Sequence, residues 1–124
     1  MSKKRVLVVD DMEINRSMIK TFISLLGFDV ETANDGLEAL RKATGSTFDA
    51  IFSDVEMPNV NGFELLARLK KNPATKSIPV IMLTTLDKDE HVNKARQLGA
   101  AHYIVKPFNK DKILNALRSV GLYQ

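Results

Sequence analysis

Short apolar runs alternate along the chain with longer segments in which apolar residues recur every three to four positions. The short runs are rich in Val, Ile and Phe, which is typical of buried strands. The longer segments have the spacing of a single apolar helix face. The pattern therefore predicts five strands that alternate with five helices. The predicted strands cover residues 5–9, 28–33, 48–53, 80–83 and 102–105.

Capping and helix-ending residues delimit the predicted helices. The predicted N-caps are Asp35, Asn61, Asp87 and Asn109. The first three of these stand three residues before a Glu, which is the spacing of a capping box. The predicted helix ends lie near Gly27, Gly45, Pro73 and Gly99.

Helical spacing also assigns the residues that should face the core. In the first helix these are Ile14, Met18, Ile19, Phe22, Ile23 and Leu26. In the fourth and fifth helices they are Val92, Ala95, Leu98, Ile113, Leu114, Leu117 and Val120.

The alternation of strands and helices predicts an α/β sandwich with a parallel sheet, because a parallel pair of strands needs a crossover connection. Four of the five strands are continuously apolar, as expected where helices cover both faces of the sheet. Residues 28–33 include alternating polar positions, which favours an edge strand. In such folds, ligands bind beyond the carboxyl ends of the strands.

Four of the predicted strands end next to residues that suit phosphate chemistry. These are Asp10 and Asp11 after the first strand, Asp54 after the third, Thr84 after the fourth and Lys106 after the fifth. Because these strand ends share one edge of the sheet, the side chains are predicted to converge there. Each has an ordinary alternative, since Asp11 could cap a helix and Asp54 could belong to a turn. Their combination favours a functional site.

Carboxylates that crowd at one edge require a compensating cation. At about 4 Å and an effective dielectric near 20, a like-charge pair costs on the order of 4 kcal/mol. Mg²⁺ prefers oxygen ligands and is the predicted cofactor. Lys106 could offset further charge and bind a phosphoryl oxygen, and Asp54 could act as a nucleophile. His91 and His102 lie outside this group in sequence, which disfavours a histidine-based metal site.

The composition is that of an ordinary globular domain. The 124 residues suit one domain, predicted over residues 1–124, and the chain contains no Cys. No apolar stretch approaches the roughly 20 residues that would cross a bilayer, and the first residues lack a signal-peptide layout. We therefore expect a cytoplasmic protein without membrane insertion. The net charge is +3, and the cluster Lys3-Lys4-Arg5 is more typical of a solvated end than of a nucleic-acid site.

The residues at the strand ends resemble the motifs of the receiver domains of bacterial two-component signalling, in particular the CheY-like regulators of chemotaxis. The matching segments are Val8-Val9-Asp10-Asp11, Asp54 with Met57-Pro58 and Asn61-Gly62, Thr84, and Lys106-Pro107-Phe108. The resemblance extends over nearly the whole chain. It implies a flavodoxin-like three-layer sandwich with the strand order 2-1-3-4-5.

The resemblance also implies a role for each site residue. Asp54 would accept a phosphoryl group from a histidine kinase or phosphotransfer protein, and the chain would catalyse its own phosphorylation and dephosphorylation. Asp10, Asp11, Asp54 and the backbone carbonyl of Glu56 would hold Mg²⁺. Lys106 and Thr84 would bind phosphoryl oxygens.

Further implications concern the output of the switch. Tyr103 would rotate inward as Thr84 moves, and the face formed by the fourth helix, fifth strand and fifth helix would bind a downstream protein. A partly buried core aromatic is the alternative for Tyr103. The Lys106-Pro107 bond would be cis. The protein would act in chemotaxis or motility, as a monomer or as a dimer that forms on phosphorylation.

Three residues near the site are expected to tune its rates. Thr85 stands where the family usually has Ala or Gly, so its bulk could narrow access to the phosphoryl site. Glu56 and Leu86 lie two residues beyond Asp54 and Thr84, at positions that flank the path of attacking water. We therefore hypothesise that they set the lifetime of the phosphorylated form.

Other classes of protein stay open at this point. The chain could be a receiver cut from a larger hybrid kinase or transcriptional regulator, or a docking module that is never phosphorylated. A dehalogenase-type phosphohydrolase would need Asp-x-Asp after the first strand, whereas Asp10 and Asp11 are adjacent. An acidic partner segment is one hypothesis for the output face, which should carry Lys88, Lys94, Lys110 and Lys112.

Overall fold

A computed structural model describes residues 3–123 and contains one five-stranded parallel sheet. The ends of the predicted domain, Met1, Ser2 and Gln124, lie outside the described residues. The strands are β1 (Arg5–Val9), β2 (Asp29–Ala33), β3 (Ala50–Ser53), β4 (Val80–Thr84) and β5 (His102–Val105). The helices are α1 (Glu13–Leu25), α2 (Gly36–Gly45), α3 (Gly62–Lys71), α4 (Asp89–Gln97) and α5 (Lys110–Ser119).

The strand order is β2-β1-β3-β4-β5, which confirms the predicted topology and leaves β2 at an edge. Successive side chains of a strand point to opposite faces of the sheet, so the sheet has two cores. Leu7 and Val9 pack in the core that α2, α3 and α4 cover, whereas Val6 and Val8 pack in the core beneath α1 and α5. The predicted three-layer sandwich is therefore confirmed.

Three of the four predicted N-caps are confirmed. The side chains of Asp35, Asn61 and Asn109 accept hydrogen bonds from backbone N–H groups three residues later, at 2.8, 2.9 and 2.9 Å. The prediction for Asp87 is wrong, because Lys88 is the N-cap of α4 and makes no capping bond with its side chain. Since α4 begins at Asp89, the acidic side chains that favour its N-terminus belong to Asp89 and Glu90. The alternative role of Asp11 as a cap is likewise wrong, since Met12 is the N-cap of α1.

The predicted inward face of α1 is partly wrong. Ile19 and Ile23 are buried, but Ile14 and Met18 are 64% and 44% exposed. Successive residues of an α-helix are rotated by about 100° around the helix axis, so Met18 lies well to the side of the buried Ile19. The helix therefore contacts the sheet along a narrower stripe than its apolar spacing predicts.

Several element boundaries shift by one or two residues. Phe28 and Phe48 are buried but precede β2 and β3, and Thr84 extends β4 by one residue. Gly27 and Gly99 follow α1 and α4 with φ of +99° and +103°, a conformation that glycine adopts without strain.

Among the described residues, no helix is both long and apolar enough to span a bilayer.

Gly62 lies directly beneath the loop that carries Asp54. Its N–H donates to the Val55 carbonyl at 2.8 Å. A Cβ atom at this position would lie 2.1 Å from the Asp54 carbonyl oxygen and 2.7 Å from the Val55 Cα. Both obstacles are backbone atoms, so they cannot rotate away. The start of α3 is therefore packed against the loop that follows β3.

We predict that Gly62→Ala lowers the free energy of unfolding by about 2–3 kcal/mol, because overpacking displaces the backbone. Gly45→Ala is the matched control, since a Cβ atom there meets no atom within 4 Å. It should leave stability unchanged or raise it by up to about 1 kcal/mol, because Ala reduces the freedom of the unfolded chain. Urea unfolding of both variants measures the difference, and equal effects would contradict the packing argument.

Candidate functional site

The carboxyl edge of the sheet brings together the residues that the sequence singles out. Asp10 and Asp54 are 1% and 7% exposed, Thr84 is fully buried, and the Lys106 side chain is 13% exposed. The pairing of Val9 with Ser53 places Asp10 beside Asp54. The Asp54 N–H also donates to the Val9 carbonyl at 2.9 Å, one residue beyond the regular ladder. The β1–β3 pairing therefore fixes the separation of the two acids.

Lys106 bridges the two buried carboxylates. Its Nζ lies 3.2 Å from Asp10 Oδ2 and 3.4 Å from Asp54 Oδ2. The Lys106 N–H donates to the Thr84 carbonyl at 2.7 Å, which anchors the backbone to the end of β4. The Lys106-Pro107 peptide bond is cis, as the resemblance implies. The Lys106 ammonium thus compensates the charges of two acids that are distant from it in the sequence.

Asp54 presents its two oxygens to different partners. Oδ1 accepts from the N–H groups of Val55 and Glu56 at 2.7 and 3.3 Å, whereas Oδ2 faces Lys106. Burial raises the pKa of Asp54, and the Lys106 ammonium opposes that rise. The Asp10 carboxylate raises the pKa further, while the two N–H groups lower it. The backbone therefore holds Oδ1 in place, and Oδ2 faces the cleft.

Asp10, Asp11 and Asp54 form a candidate metal site. Each offers an oxygen atom, and these oxygens all lie within 4.8 Å of one another. Asp11 is exposed, so the cluster opens to solvent on one side. Three carboxylates against the single Lys106 ammonium leave an excess of negative charge, and all the donors are hard oxygens. This donor set fits a divalent ion such as Mg²⁺.

The loop after β4 contains a chain of hydrogen bonds next to the acids. The Leu86 N–H donates to Thr84 Oγ1 at 3.3 Å, and the Tyr103 hydroxyl donates to the Leu86 carbonyl at 2.7 Å. Tyr103 also packs against the core beneath α4, as its alternative role requires. Its pKa is raised, first by burial and then by the negative charges of Asp54, Asp87 and Glu56. Thr84 and Tyr103 are thus linked through Leu86.

Glu56 and Thr85 meet across the mouth of the cleft. The Thr85 hydroxyl donates to Glu56 Oε1 at 2.7 Å, and both side chains are exposed. The cleft also includes Asp11, Asp54 and Lys106. The sequence pattern identified Thr85 and Glu56 singly, but their contact joins residues 29 positions apart and needed the tertiary structure.

Three residues of α1 and its N-cap border the site and were missed in the sequence. Met12 and Asn15 line the cleft, and Arg16 Nη1 donates to the main-chain carbonyl of Asp10 at 2.7 Å. For Met12 and Asn15, the available signal was their position within about one helical turn of Asp11. Ile14 and Met18 lie one helical turn apart and form an exposed apolar strip on α1.

Two of the four lysines assigned to the output face are engaged within the fold. Lys94 lies over the Phe63 ring of α3, with Nζ 4.7 Å from the ring centroid. Lys112 Nζ donates to the carbonyls of Val105 and Pro107 at 3.3 and 3.0 Å. Lys88 and Lys110 are exposed. The side chains of Lys94 and Lys112 are therefore held by contacts within the fold, although all four lysines are exposed.

Residues 6–118 match the family model of the response regulator receiver domain. The "Probable transcriptional regulator ycf29" of Pyropia yezoensis is 42% identical over 120 residues, which cover 97% of this chain and 54% of that protein. Protein PilG of Pseudomonas aeruginosa is 38% identical over 115 residues, which cover 93% of this chain and 85% of PilG. The chain thus spans about half the length of one of these relatives and most of the other.

Solved structures show the same architecture. The chemotaxis protein CheY4 of Vibrio cholerae has a TM-score of 0.91 and 39% identity, over 96% of this chain and 99% of that one. The receiver domain of the sensor histidine kinase PA1611 of Pseudomonas aeruginosa has a TM-score of 0.87 and 26% identity, over 97% and 99% of the two chains. That structure contains a magnesium ion coordinated in its active site cleft.

We predict that Lys106→Met lowers the free energy of unfolding by about 3 kcal/mol in metal-free buffer near pH 7, because it leaves buried carboxylates unpaired. It should also raise the pKa of Asp54 further. When a carboxyl group has a higher pKa in the folded state than in the unfolded state, the protein loses stability as the pH rises through the folded-state pKa. The loss of unfolding free energy caused by Lys106→Met should therefore become smaller as the pH falls through the folded-state pKa of Asp54.

Urea unfolding across pH and carboxyl ¹³C NMR of Asp54 measure these two effects. Lys110→Met, which removes an exposed lysine, is the matched control and should be nearly neutral. A deficit for Lys106→Met that does not change with pH would contradict the proposed charge balance.

Proposed function

The chain belongs to the family of response regulator receiver domains, and we propose that Asp54 is the phosphoacceptor of a signalling switch. The observation that carries this proposal is the position of Asp54 Oδ2, which faces Lys106 beside two further acids. In the proposed transfer, Oδ2 attacks the phosphorus atom of a phosphohistidine on a histidine kinase or phosphotransfer protein. A P–O bond forms as the P–N bond breaks, and the departing imidazole takes up a proton from solvent.

The surrounding residues provide position and charge rather than covalent chemistry. Lys106 would bind a phosphoryl oxygen, and its contact with Asp10 at 3.2 Å supports this role because it holds the ammonium beside Asp54. Asp10, Asp11, Asp54 and the main-chain carbonyl of Glu56 are the proposed ligands of Mg²⁺. When bound, Mg²⁺ would neutralise charge on the acids and on the transferred group. The magnesium ion in the cleft of the PA1611 receiver domain supports this assignment.

Thr84 and Tyr103 are the proposed switch residues. In the structure, Thr84 Oγ1 accepts from Leu86, and Tyr103 donates to the same residue. A phosphoryl oxygen on Asp54 would accept a hydrogen bond from the Thr84 hydroxyl, and movement of that hydroxyl toward Asp54 would favour another arrangement of this loop. Phosphorylation would then shift the populations of two states of the α4-β5-α5 face. A downstream protein would read the change.

The exposed side chains of α1 support a protein as phosphodonor. Met12 borders the cleft and is 54% exposed, and Ile14 and Met18 form the apolar strip on the helix that begins beside it. A donor protein that reaches Asp54 must cover the mouth of the cleft and would therefore bury Met12. A donor protein that also contacts the strip would gain affinity that a small donor lacks.

The cellular setting follows from the relatives and is part of the proposal. Similarity to a chemotaxis protein supports a role in chemotaxis or motility. We propose a single receiver domain over residues 1–124, located in the cytoplasm, that acts as a monomer or dimerises on phosphorylation. Because the chain covers only 54% of one relative, a receiver within a larger regulator is the alternative. A docking module that is never phosphorylated is the other alternative.

Incubation with Mg²⁺ and acetyl phosphate tests the proposed acceptor. Intact-mass analysis should detect one phosphate adduct on the wild-type chain and none on Asp54→Ala. Asp49→Ala, which removes an acid at the opposite end of β3, is the control and should still gain the adduct. Absence of an adduct at every Mg²⁺ concentration would favour the docking module.

We predict that Glu56→Asn combined with Leu86→Glu makes loss of the phosphoryl group several-fold faster. The change removes a carboxylate held beside Asp54 and replaces an apolar side chain with one that can orient water. Glu90→Asn with Leu37→Glu makes the same replacements at exposed positions outside the cleft and should not alter the rate. The decay of the adduct after removal of the donor gives the rates, and equal lifetimes would remove the hypothesis.

A further inference from the structure

Asp10 is held at each of its polar groups. Its N–H donates to the Ala33 carbonyl at 3.2 Å, and its Oδ1 accepts from the Met12 N–H at 2.9 Å. Its Oδ2 lies 3.2 Å from Lys106 Nζ, and its main-chain carbonyl accepts from Arg16 Nη1 at 2.7 Å. Asp10 lies beyond the last residue of β1, so the sheet ladder does not supply this bond. Arg16 therefore completes the set of contacts that fix this residue.

The hydrogen bond from Arg16 holds the peptide unit that joins two of the clustered acids, Asp10 and Asp11. The carbonyl of Asp10 and the N–H of Asp11 belong to one rigid peptide unit. Rotation of that unit would swing the Asp11 side chain relative to Asp54. Arg16 itself is fixed in the first turns of α1, where its N–H donates to the Met12 carbonyl at 3.1 Å. The guanidinium thus ties the loop to the helix that follows it.

We propose that Arg16 is a positioning residue that holds the Asp10–Asp11 peptide in the orientation that binds Mg²⁺. This inference rests on the metal site proposed above and assigns a role to a residue outside the ligand set. Outer-shell partners that orient ligands commonly change metal affinity by about 10- to 100-fold when they are removed. We expect a loss of about tenfold here, because Met12 and Ala33 still hold Asp10.

The sign of the effect separates positioning from simple electrostatics. A guanidinium close to a cation site repels the cation, so its removal should strengthen Mg²⁺ binding if charge alone matters. Positioning predicts the opposite, because the loss of the hydrogen bond frees the peptide. A charge effect would also weaken at high salt, because the cluster opens to solvent at Asp11, whereas the loss of orientation would persist.

The test measures Mg²⁺ binding by the unphosphorylated full chain with isothermal titration calorimetry. Arg16→Met should bind Mg²⁺ about tenfold more weakly than the wild type, at low salt and at about 0.5 M KCl. Arg16→Lys keeps a charge and a donor, and it should recover part of the loss. Arg41→Met removes an exposed arginine of α2 and should bind like the wild type.

Circular dichroism and thermal unfolding without Mg²⁺ establish that each variant is folded, and Arg16→Lys carries the test if Arg16→Met is not. Equal or tighter binding by a folded Arg16→Met chain would overturn the inference but leave the metal site intact. A wild-type chain that binds no Mg²⁺ would overturn both. Loss of affinity in Arg41→Met as well would show that the effect is not specific to Arg16 and would also overturn the inference.

Discussion

The contact of the Lys106 ammonium with two buried carboxylates is the constraint on which the rest of the site depends. Asp10 and Asp54 are drawn together by the β1–β3 pairing, and water has little access to either. Two carboxylates in that position repel each other, and burial increases the cost of their charges. Lys106 lies 3.2 and 3.4 Å from them and offsets part of that cost. The site is therefore stable enough to fold, yet it retains excess negative charge.

That excess negative charge explains why the site suits phosphoryl transfer. A fully neutralised cluster would have no electrostatic reason to bind a divalent ion. Asp11 is exposed at the open side, so an ion could enter without unfolding the strand ends. Asp54 Oδ1 is held by two backbone N–H groups, which leaves Oδ2 as the free oxygen. The fold thus supplies orientation in advance, which is most of what transfer of a phosphoryl group requires.

The surroundings of the site divide into regions with different roles. On one side, Met12 and the exposed apolar strip of Ile14 and Met18 on α1 form the surface proposed to bind a donor protein. On the other side, the loop after β4 links Thr84 through Leu86 to Tyr103, and from there to β5. Asp54, the proposed acceptor, lies between the proposed input surface and the proposed output loop.

The sequence determined the order of the elements, the parallel sheet and the identity of the acids. Strand ends were predictable because apolar runs stop abruptly at Asp10, Asp54 and Lys106, and residue type alone indicates their chemistry. The strand order was available only through family resemblance, because alternation does not specify which strands pair. The caps at Asp35, Asn61 and Asn109 were predictable because they depend on neighbours three residues away.

Only the tertiary structure decided the contacts between distant segments. The exposure of Ile14 and Met18 depends on where α1 crosses the sheet, which its own spacing does not reveal. The bond between Thr85 and Glu56 likewise depends on how the loops after β3 and β4 approach each other. Arg16 gave no signal, since its partner is a main-chain carbonyl that every residue possesses. Local patterns specify elements, whereas contacts across the fold depend on packing geometry.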